Sequence, residues 1–329
     1  MRLALVAALA IAACGGGGGI RVTEPQPAPE GLDACVGRTF DAPTADGFEH
    51  TTSKLAAAAG SSRHYMQDVI VPPGTAPHVE AKLTYGQVSK DLEDERVQVF
   101  VDDCSTWLDA GSGRTDDDGR VAFELPSNLT VGLHEVRVVV RGDGTQASAT
   151  VWVLPVGTRL AITDIDGTMT SSDLELFEQM LYGTHVPEAY PGASALTRAH
   201  TERGHVVVYL TGRPYWLLDI TRGWLRDLGF ATGPLHVADH HDEILPTETG
   251  VGAYKRAWLT GLLQAGYVVD VAYGNASTDL FAYLGAGLPP TSVWIIGARG
   301  GEQGTHAVEG SWEARAAEVS ASARVLQHF

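Results

Sequence analysis

Basic residues are scarce in this chain. Its 329 residues carry 23 Lys and Arg against 40 Asp and Glu, a net charge of −17. Nucleic acid demands a basic footprint on its partner, so that class of function is excluded. The same balance repels an anionic bilayer unless a separate tether holds the chain there. Cysteine is rare too: Cys14, Cys35 and Cys104 are the only three and none belongs to a CxxC, which argues against a zinc ribbon. An amphipathic membrane helix is not evident. Asp116-Asp117-Asp118-Gly119 lacks the ligand spacing and the bidentate Glu of an EF-hand and reads as a solvated hairpin turn. His236 to Glu243 mixes histidines and carboxylates without a complete ligand spacing, and reads as a polar loop after a strand.

What is present begins with a tether. Arg2 and the apolar stretch Leu3 to Ala13 form a secretory signal, too short to span a bilayer as a stable helix. Ile11-Ala12-Ala13-Cys14 resembles a bacterial lipobox, which implies cleavage before Cys14 and lipid on it. The Gly- and Pro-rich residues 15–31 suit a flexible linker between membrane and body. The expected location is therefore extracytoplasmic, lipid-anchored to a bacterial membrane at its periplasmic face or cell surface. In that oxidising compartment Cys35 and Cys104 are either a disulfide or two buried thiols.

Residues 32–72 are ambiguous and read as a packed extension of the next domain. Over 73–156 the pattern is alternating strands, as in Val97-Gln98-Val99-Phe100-Val101 and Val136-Arg137-Val138-Val139-Val140, separated by turn clusters. This spacing predicts an all-β, Ig-like sandwich. Over 157–329 strand-like runs alternate with helical periods. The runs are Leu160–Asp164, Val206–Thr211, Leu235–Val237, Val268–Tyr273 and Ser292–Ile296, and the helices fall at about 189–203, 214–228, 252–265, 277–285 and 311–326. That order specifies an α/β domain with a parallel sheet, whose site lies at the carboxyl ends of the strands.

Four places in this domain carry polar residues suited to phosphate chemistry. Asp164 and Asp166, one residue apart, repel each other unless a cation such as Mg²⁺ joins them. Thr211, Gly212 and Arg213 follow an apolar strand and precede Pro214, which is expected at the first helical position, so all three are candidate phosphate ligands. Lys255 stands at a helix start, where it opposes the macrodipole and needs an anionic partner. The loop Gly274-Asn275 to Asp279 offers oxygen ligands to a metal, with Asp279 direct and Asn275 nearby. In the helix after Thr211, Leu217, Ile220, Thr221, Trp224, Leu225 and Leu228 form the expected core stripe. Tyr215 and Trp216 lie beside the site, to touch lipid or, more simply, to pack on a neighbouring loop.

Asp164-x-Asp166-Gly-Thr168, Thr211, Lys255 and the Gly274-Asn275…Asp279 loop resemble the four motifs of the haloacid-dehalogenase (HAD) phosphatases. More narrowly, Asp164-Ile-Asp-Gly-Thr-Met-Thr-Ser-Ser-Asp173, Tyr209-Leu-Thr-Gly-Arg213, Thr221-Arg-Gly-Trp-Leu225 and Gly274-Asn275…Thr278-Asp279 resemble the lipin/Smp2 (LNS2) type. Upstream, Leu83-Thr84-Tyr85-Gly86, Val139-Val140-Arg141-Gly142-Asp143 and Leu154-Pro155-Val156-Gly157-Thr158 are similar to the C-terminal region of RdgB/Nir phosphatidylinositol transfer proteins. The resemblance implies a HAD-like Rossmannoid sheet without a large cap. It implies Asp164 as nucleophile and Asp166 as acid and base. Mg²⁺ would sit on Asp164, Asp166 and Asp279, and the substrate would be phosphatidate or a related lipid phosphate. The same resemblance allows a module that binds phosphatidate without turnover, and a phosphatase for soluble monoesters is the third expectation. An uncapped, open site suits a headgroup displayed on a bilayer better than a small sugar phosphate.

Overall fold

The computed structural model describes residues 29–86, 89–172, 186–240, 243–327 and 329. The expected signal, the lipidation site Cys14 and the linker up to residue 28 lie outside them. No helix among the described residues is long and apolar enough to cross a membrane.

Eleven strands build the first half: β1 (Asp33–Cys35), β2 (Tyr65–Met66), β3 (Val69–Val71), β4 (His78–Lys82), β5 (Thr84–Tyr85), β6 (Lys90–Asp91), β7 (Arg96–Asp102), β8 (Trp107–Arg114), β9 (Arg120–Glu124), β10 (Gly132–Val140) and β11 (Gln146–Val153). The alternation in β7 is what lets it pair and pack. Val97, Val99 and Val101 are buried, while Arg96, Gln98 and Phe100 turn to the other face. The large sheet runs β3-β11-β10-β7-β8, with β1 also on β10, and the small one runs β2-β4-β9. Val79, Leu83, Val99, Val138 and Val151 belong to the core between them. The ambiguous segment 32–72 thus supplies three strands: β1 lies parallel to β10, β3 parallel to β11, and β2 antiparallel to β4. Cys35, closing β1, is bonded to Cys104 in the turn after β7, with Cα atoms 4.8 Å apart.

The second half is a parallel sheet of β12 (Arg159–Thr163), β13 (Val206–Pro214), β14 (Leu235–Ala238), β15 (Val268–Gly274), β16 (Val293–Ile296) and β17 (His306–Val308), ordered β14-β13-β12-β15-β16-β17. Leu160 and Ile162 of β12 face one apolar layer and Ala161 the other, the pattern of a strand covered on both sides. The intervening helices are Ala193–Glu202, Leu218–Asp227, Ala253–Gln264, Ser277–Gly285 and Glu313–Ala321.

The two halves share a core. Leu133, Trp152 and Leu154 of the sandwich cluster with Leu160, Ile162 and Val208 of the parallel sheet. The free edge of β14 is also covered. Asp68 Oδ2 accepts from the Leu235 N–H (2.9 Å) and Gln67 Oε1 from the Val237 N–H (2.9 Å). Asp68 Oδ1 accepts in turn from the Thr150 N–H and from Arg222 (2.9 and 2.8 Å). Sandwich side chains thereby satisfy donors that an open edge strand would present to other chains.

Several histidines make the fold acid-sensitive: burial lowers the pKa of His64, His200 and His236 alike, and His64 shows how. His64 is buried, its Nδ1 accepts from the Thr84 N–H (3.2 Å) and its Nε2 faces Thr145 Oγ1 (2.8 Å). A ring that accepts at Nδ1 is neutral, and burial pushes its pKa from 6.5 down to about 4. Between those values the unfolded chain binds a proton that the folded chain refuses, so stability is lost as pH falls below 6.5. The loss is about 1.4 kcal/mol per pH unit, hence about 2 kcal/mol at pH 5. Thermal melts should show a lower Tm at pH 5 than at pH 7, and His64→Gln should make that dependence shallower by its own share, with His200 and His236 keeping the rest. An unchanged slope in the variant would place the acid sensitivity elsewhere.

Candidate active site

The first loop is shaped by hydrogen bonds to one carbonyl. Ile165 O accepts from the N–H groups of Thr168, Met169 and Thr170 at 3.2, 2.7 and 2.9 Å. This tight turn puts Gly167 at φ 69°, a conformation that favours glycine. Asp164, directly after β12, is 4% exposed. Its Oδ2 accepts from Thr168 Oγ1 (3.1 Å), and the Thr168 carbonyl accepts from Trp312 Nε1 (2.7 Å).

The second strand end differs from expectation. β13 continues through Pro214, which pairs with Ala238 after a register shift, and a 3-10 turn Tyr215–Leu217 precedes the helix. Thr211, Gly212 and Arg213 are therefore in the strand and not on a helix N-terminus. Thr211 Oγ1 donates to Asp166 Oδ2 (3.3 Å), and Gly212 packs so closely on Val251 that a Cβ would lie 2.7 Å from its Cγ2. Arg213, expected as a phosphate ligand, is corrected. Its guanidinium is fully buried and engaged: Nε and Nη2 reach Asp166 at 3.0 and 2.8 Å, and Nη1 donates to Thr221 Oγ1 at 3.1 Å. The core stripe is corrected as well. Leu217, Leu218, Thr221, Trp224 and Leu225 are buried, whereas Ile220 and Leu228 are exposed.

Lys255 has found the anions it needed. In the first turn of its helix it is buried, and Nζ donates to Asp164 Oδ1 (2.6 Å) and Asp279 Oδ1 (2.7 Å). Asp279 Oδ2 accepts from the N–H groups of Asn275 and Ala276 (3.0 and 3.1 Å), and Asn275 Oδ1 accepts from Thr168 Oγ1 (3.2 Å). Gly274 permits this closure, since a Cβ there would lie 2.6 Å from the Asp279 Cβ. Asp164, Lys255, Asn275 and Asp279 thus form one hydrogen-bonded set together with Thr168, while Asp166, two residues along the same loop from Asp164, forms a second with Thr211 and Arg213. Three carboxylates face two cations, Lys255 and Arg213. Burial pushes the Asp164 carboxyl up to about 7; Lys255 opposes the rise, and the Asp279 and Asp166 charges add to it. Burial alone would lower the Lys255 ammonium, but Asp164 and Asp279 outweigh it and hold its pKa above the ordinary value. An all-oxygen donor set carrying surplus negative charge fits a hard divalent cation.

Thr168, Thr221 and Trp312 were missing from the sequence-derived site residues. Thr168 had a signal, its place in the first motif. Trp312 had none, since it reaches the loop from 144 residues away. The polar stretch starts later than expected: His236 is in β14, its Nδ1 2.5 Å from the Tyr254 hydroxyl, and the loop begins at Asp239, where Glu243 accepts from the Asp239 and His240 N–H groups. Its residues His241 and Asp242 lie outside the described residues. Tyr215 packs edge-on against Tyr65 of β2, ring centroids 4.7 Å apart, and Trp216 against Tyr215.

Comparison with known proteins fits this arrangement. Residues 62–153 match the β-sandwich domain of PITM 1-3, and residues 161–297 match the LNS2 domain of PITM 1-3. The chain carries both PITM domains, in that order. The LNS2 domain is HAD-like, so the parallel sheet and its strand-end site belong to that fold. Protein retinal degeneration B of Drosophila melanogaster is 29% identical over 77% of this chain and 19% of its own length. Membrane-associated phosphatidylinositol transfer protein 1 of Rattus norvegicus is 29% identical over 72% of this chain and 18% of its own length. Membrane-associated phosphatidylinositol transfer protein 3 of Homo sapiens is 27% identical over 72% of this chain and 24% of its own length. The LNS2 chain therefore spans a quarter or less of these relatives.

Proposed function

We propose that this LNS2 chain is a Mg²⁺-dependent phosphomonoester hydrolase that works through an aspartyl-phosphate on Asp164, with phosphatidate or a related lipid phosphate as its substrate. One observation carries the reading: a buried Asp164 carboxylate is positioned by Lys255 and Thr168 beside Asp279. An Oδ atom of Asp164 attacks phosphorus and the ester oxygen leaves, so one hard displacement becomes two easier ones. Asp166 gives a proton to the leaving alkoxide, then takes one from the water that cleaves the acyl phosphate. Lys255 and Thr211 hold the equatorial oxygens, where the transition state spreads its charge. Mg²⁺ would be held by Asp164, the Asp166 carbonyl and Asp279, with Asn275 beside them, and supplies the charge balance that lets a phosphate dianion approach three carboxylates.

The lipid part of the reading is supported by the relatives' names, which are those of phosphatidylinositol transfer proteins. Lipid on Cys14 would hold the domain at an extracytoplasmic bilayer despite its acidic surface. The relatives' names also favour a second reading, a module that binds lipid phosphate without turnover. A substrate panel separates them. Phosphate release is measured from phosphatidate vesicles and from soluble monoesters, with and without Mg²⁺. Release that requires Mg²⁺ and is fastest on phosphatidate is expected. Silence on every ester, with vesicle binding retained, sinks the hydrolase and leaves the binding module. Equal rates on all esters would point to a general phosphatase.

A further inference from the structure

We infer that Arg213 is a positioning residue whose work is to aim Asp166, the proton carrier of the hydrolase proposed above; the inference rests on that reading. The guanidinium is inaccessible to solvent and to a phosphate arriving at Asp164, because its own side chain is 0% exposed. Its Nε donates to both Asp166 oxygens (3.1 and 3.0 Å) and its Nη2 to Oδ1 (2.8 Å), which fixes the plane of the carboxylate as well as its place. The guanidinium is itself fixed. Nη1 donates to Thr221 Oγ1 (3.1 Å), whose hydroxyl donates to the Leu217 carbonyl one helical turn earlier (2.8 Å). The indole of Trp224 lies 5.9 Å from its central carbon, and Trp224 Nε1 is tied to the Pro187 carbonyl (2.8 Å). The helix Leu218–Asp227 thus transmits its position to Asp166 through one side chain.

This arrangement gives each carboxylate of the first loop its own cation. Lys255 serves Asp164 and Arg213 serves Asp166, so the two like charges are held in separate places. The types are not interchangeable: an ammonium holds a charge without orienting a plane, whereas a guanidinium fork does both. Thr211 completes the aim in the absence of substrate, since its hydroxyl also reaches Asp166. When a phosphate oxygen takes that hydroxyl, Arg213 is the partner that remains. A burial this expensive, with two fixing contacts besides the ion pair, is hard to account for by packing alone.

The test exploits the chemistry of the leaving group. Proton donation matters most for a poor leaving group such as an alkoxide and little for p-nitrophenolate. Steady-state kinetics are compared for the wild type, Arg213→Lys and Thr221→Val on an alkyl phosphate and on p-nitrophenyl phosphate, with Tm recorded for each. Arg213→Lys should lower kcat on the alkyl ester roughly tenfold or more beyond its effect on the aryl ester, with KM little changed. Thr221→Val, which keeps the ion pair and so protects the fold, should shift the same ratio in the same direction by a smaller factor. Equal losses on both esters in both variants would reduce Arg213 to a structural residue and overturn the inference. A raised KM at unchanged kcat would also overturn it, by making Arg213 a binding group. A wild type inactive on both esters would instead remove the hydrolase reading, and the aiming role with it.

Discussion

Asp164→Asn should reduce phosphate release roughly 10⁴-fold or more while leaving the protein folded. The amide keeps the size of the carboxylate; its one oxygen can accept from Lys255 as Oδ1 does, while its NH2 takes the place of Oδ2 and donates to Thr168 Oγ1, whose own proton can go to Asn275 Oδ1. It cannot attack phosphorus. Folding should not suffer, and the sign of the Asp164 shift says why. Its pKa in the fold, about 7, lies above the ordinary 3.8. Stability from this group is full below 3.8 and is lost as pH rises through about 7, because the fold disfavours the ionised form. The amide removes that cost, so Tm at pH 8 should be equal to or above that of wild type. The measurement is Mg²⁺-dependent release from phosphatidate vesicles beside a thermal melt and a vesicle pull-down. Loss of release with binding and Tm retained is the expected outcome. A variant within tenfold of wild-type turnover would be incompatible with an aspartyl-phosphate.

The site was legible wherever chemistry follows from residue type at a strand end. The apolar runs before Asp164, Thr211 and Gly274 announced strands of a buried parallel sheet, and a sheet of that kind gathers its strand ends by topology. The helix Ser277–Gly285 coincides with its expected span because Asp279 caps the N–H groups at its start. The partner of Arg213 was not legible. A TGR triplet before a proline reads locally as a helix start, and only the register shift that carries β13 through Pro214 turns the arginine inward. β8 was missed for a related reason. Trp107 to Arg114 contains two glycines, a serine and an aspartate, so its propensity is poor and its alternation absent; it is a strand because β7 offers it a ladder. The strands of segment 32–72 are short, two or three residues each, and depend on β10, β11 and β4 as templates. Tertiary pairing decided these elements, and a single sequence holds little trace of it.

Lys255→Met should be the most destabilising single change in the site, and Mg²⁺ should relieve part of the damage. In wild type the ammonium lies between Asp164 and Asp279, 2.6 and 2.7 Å from their oxygens, and all three side chains are buried. Removing the cation leaves two buried carboxylates facing each other. Breaking a buried pair in this way costs about 3–5 kcal/mol. For a protein of this size that lowers Tm by about 1.5–2 °C per kcal/mol. A divalent cation restores the missing positive charge, so millimolar Mg²⁺ should raise Tm more in the variant than in wild type, where Lys255 competes for the same oxygens. Asp279→Asn added to Lys255→Met should recover stability by removing one of the stranded charges and should blunt the response to Mg²⁺. Hydrolysis should be lost in both, since no ammonium remains for the phosphate oxygens. Thermal melts with and without Mg²⁺, across a narrow pH range above 7, read all of this at once. A variant whose Tm matches wild type would show that the buried pair adds nothing. A variant that melts early and ignores Mg²⁺ would show that these oxygens do not hold the metal, and the proposed chemistry would lose its charge balance.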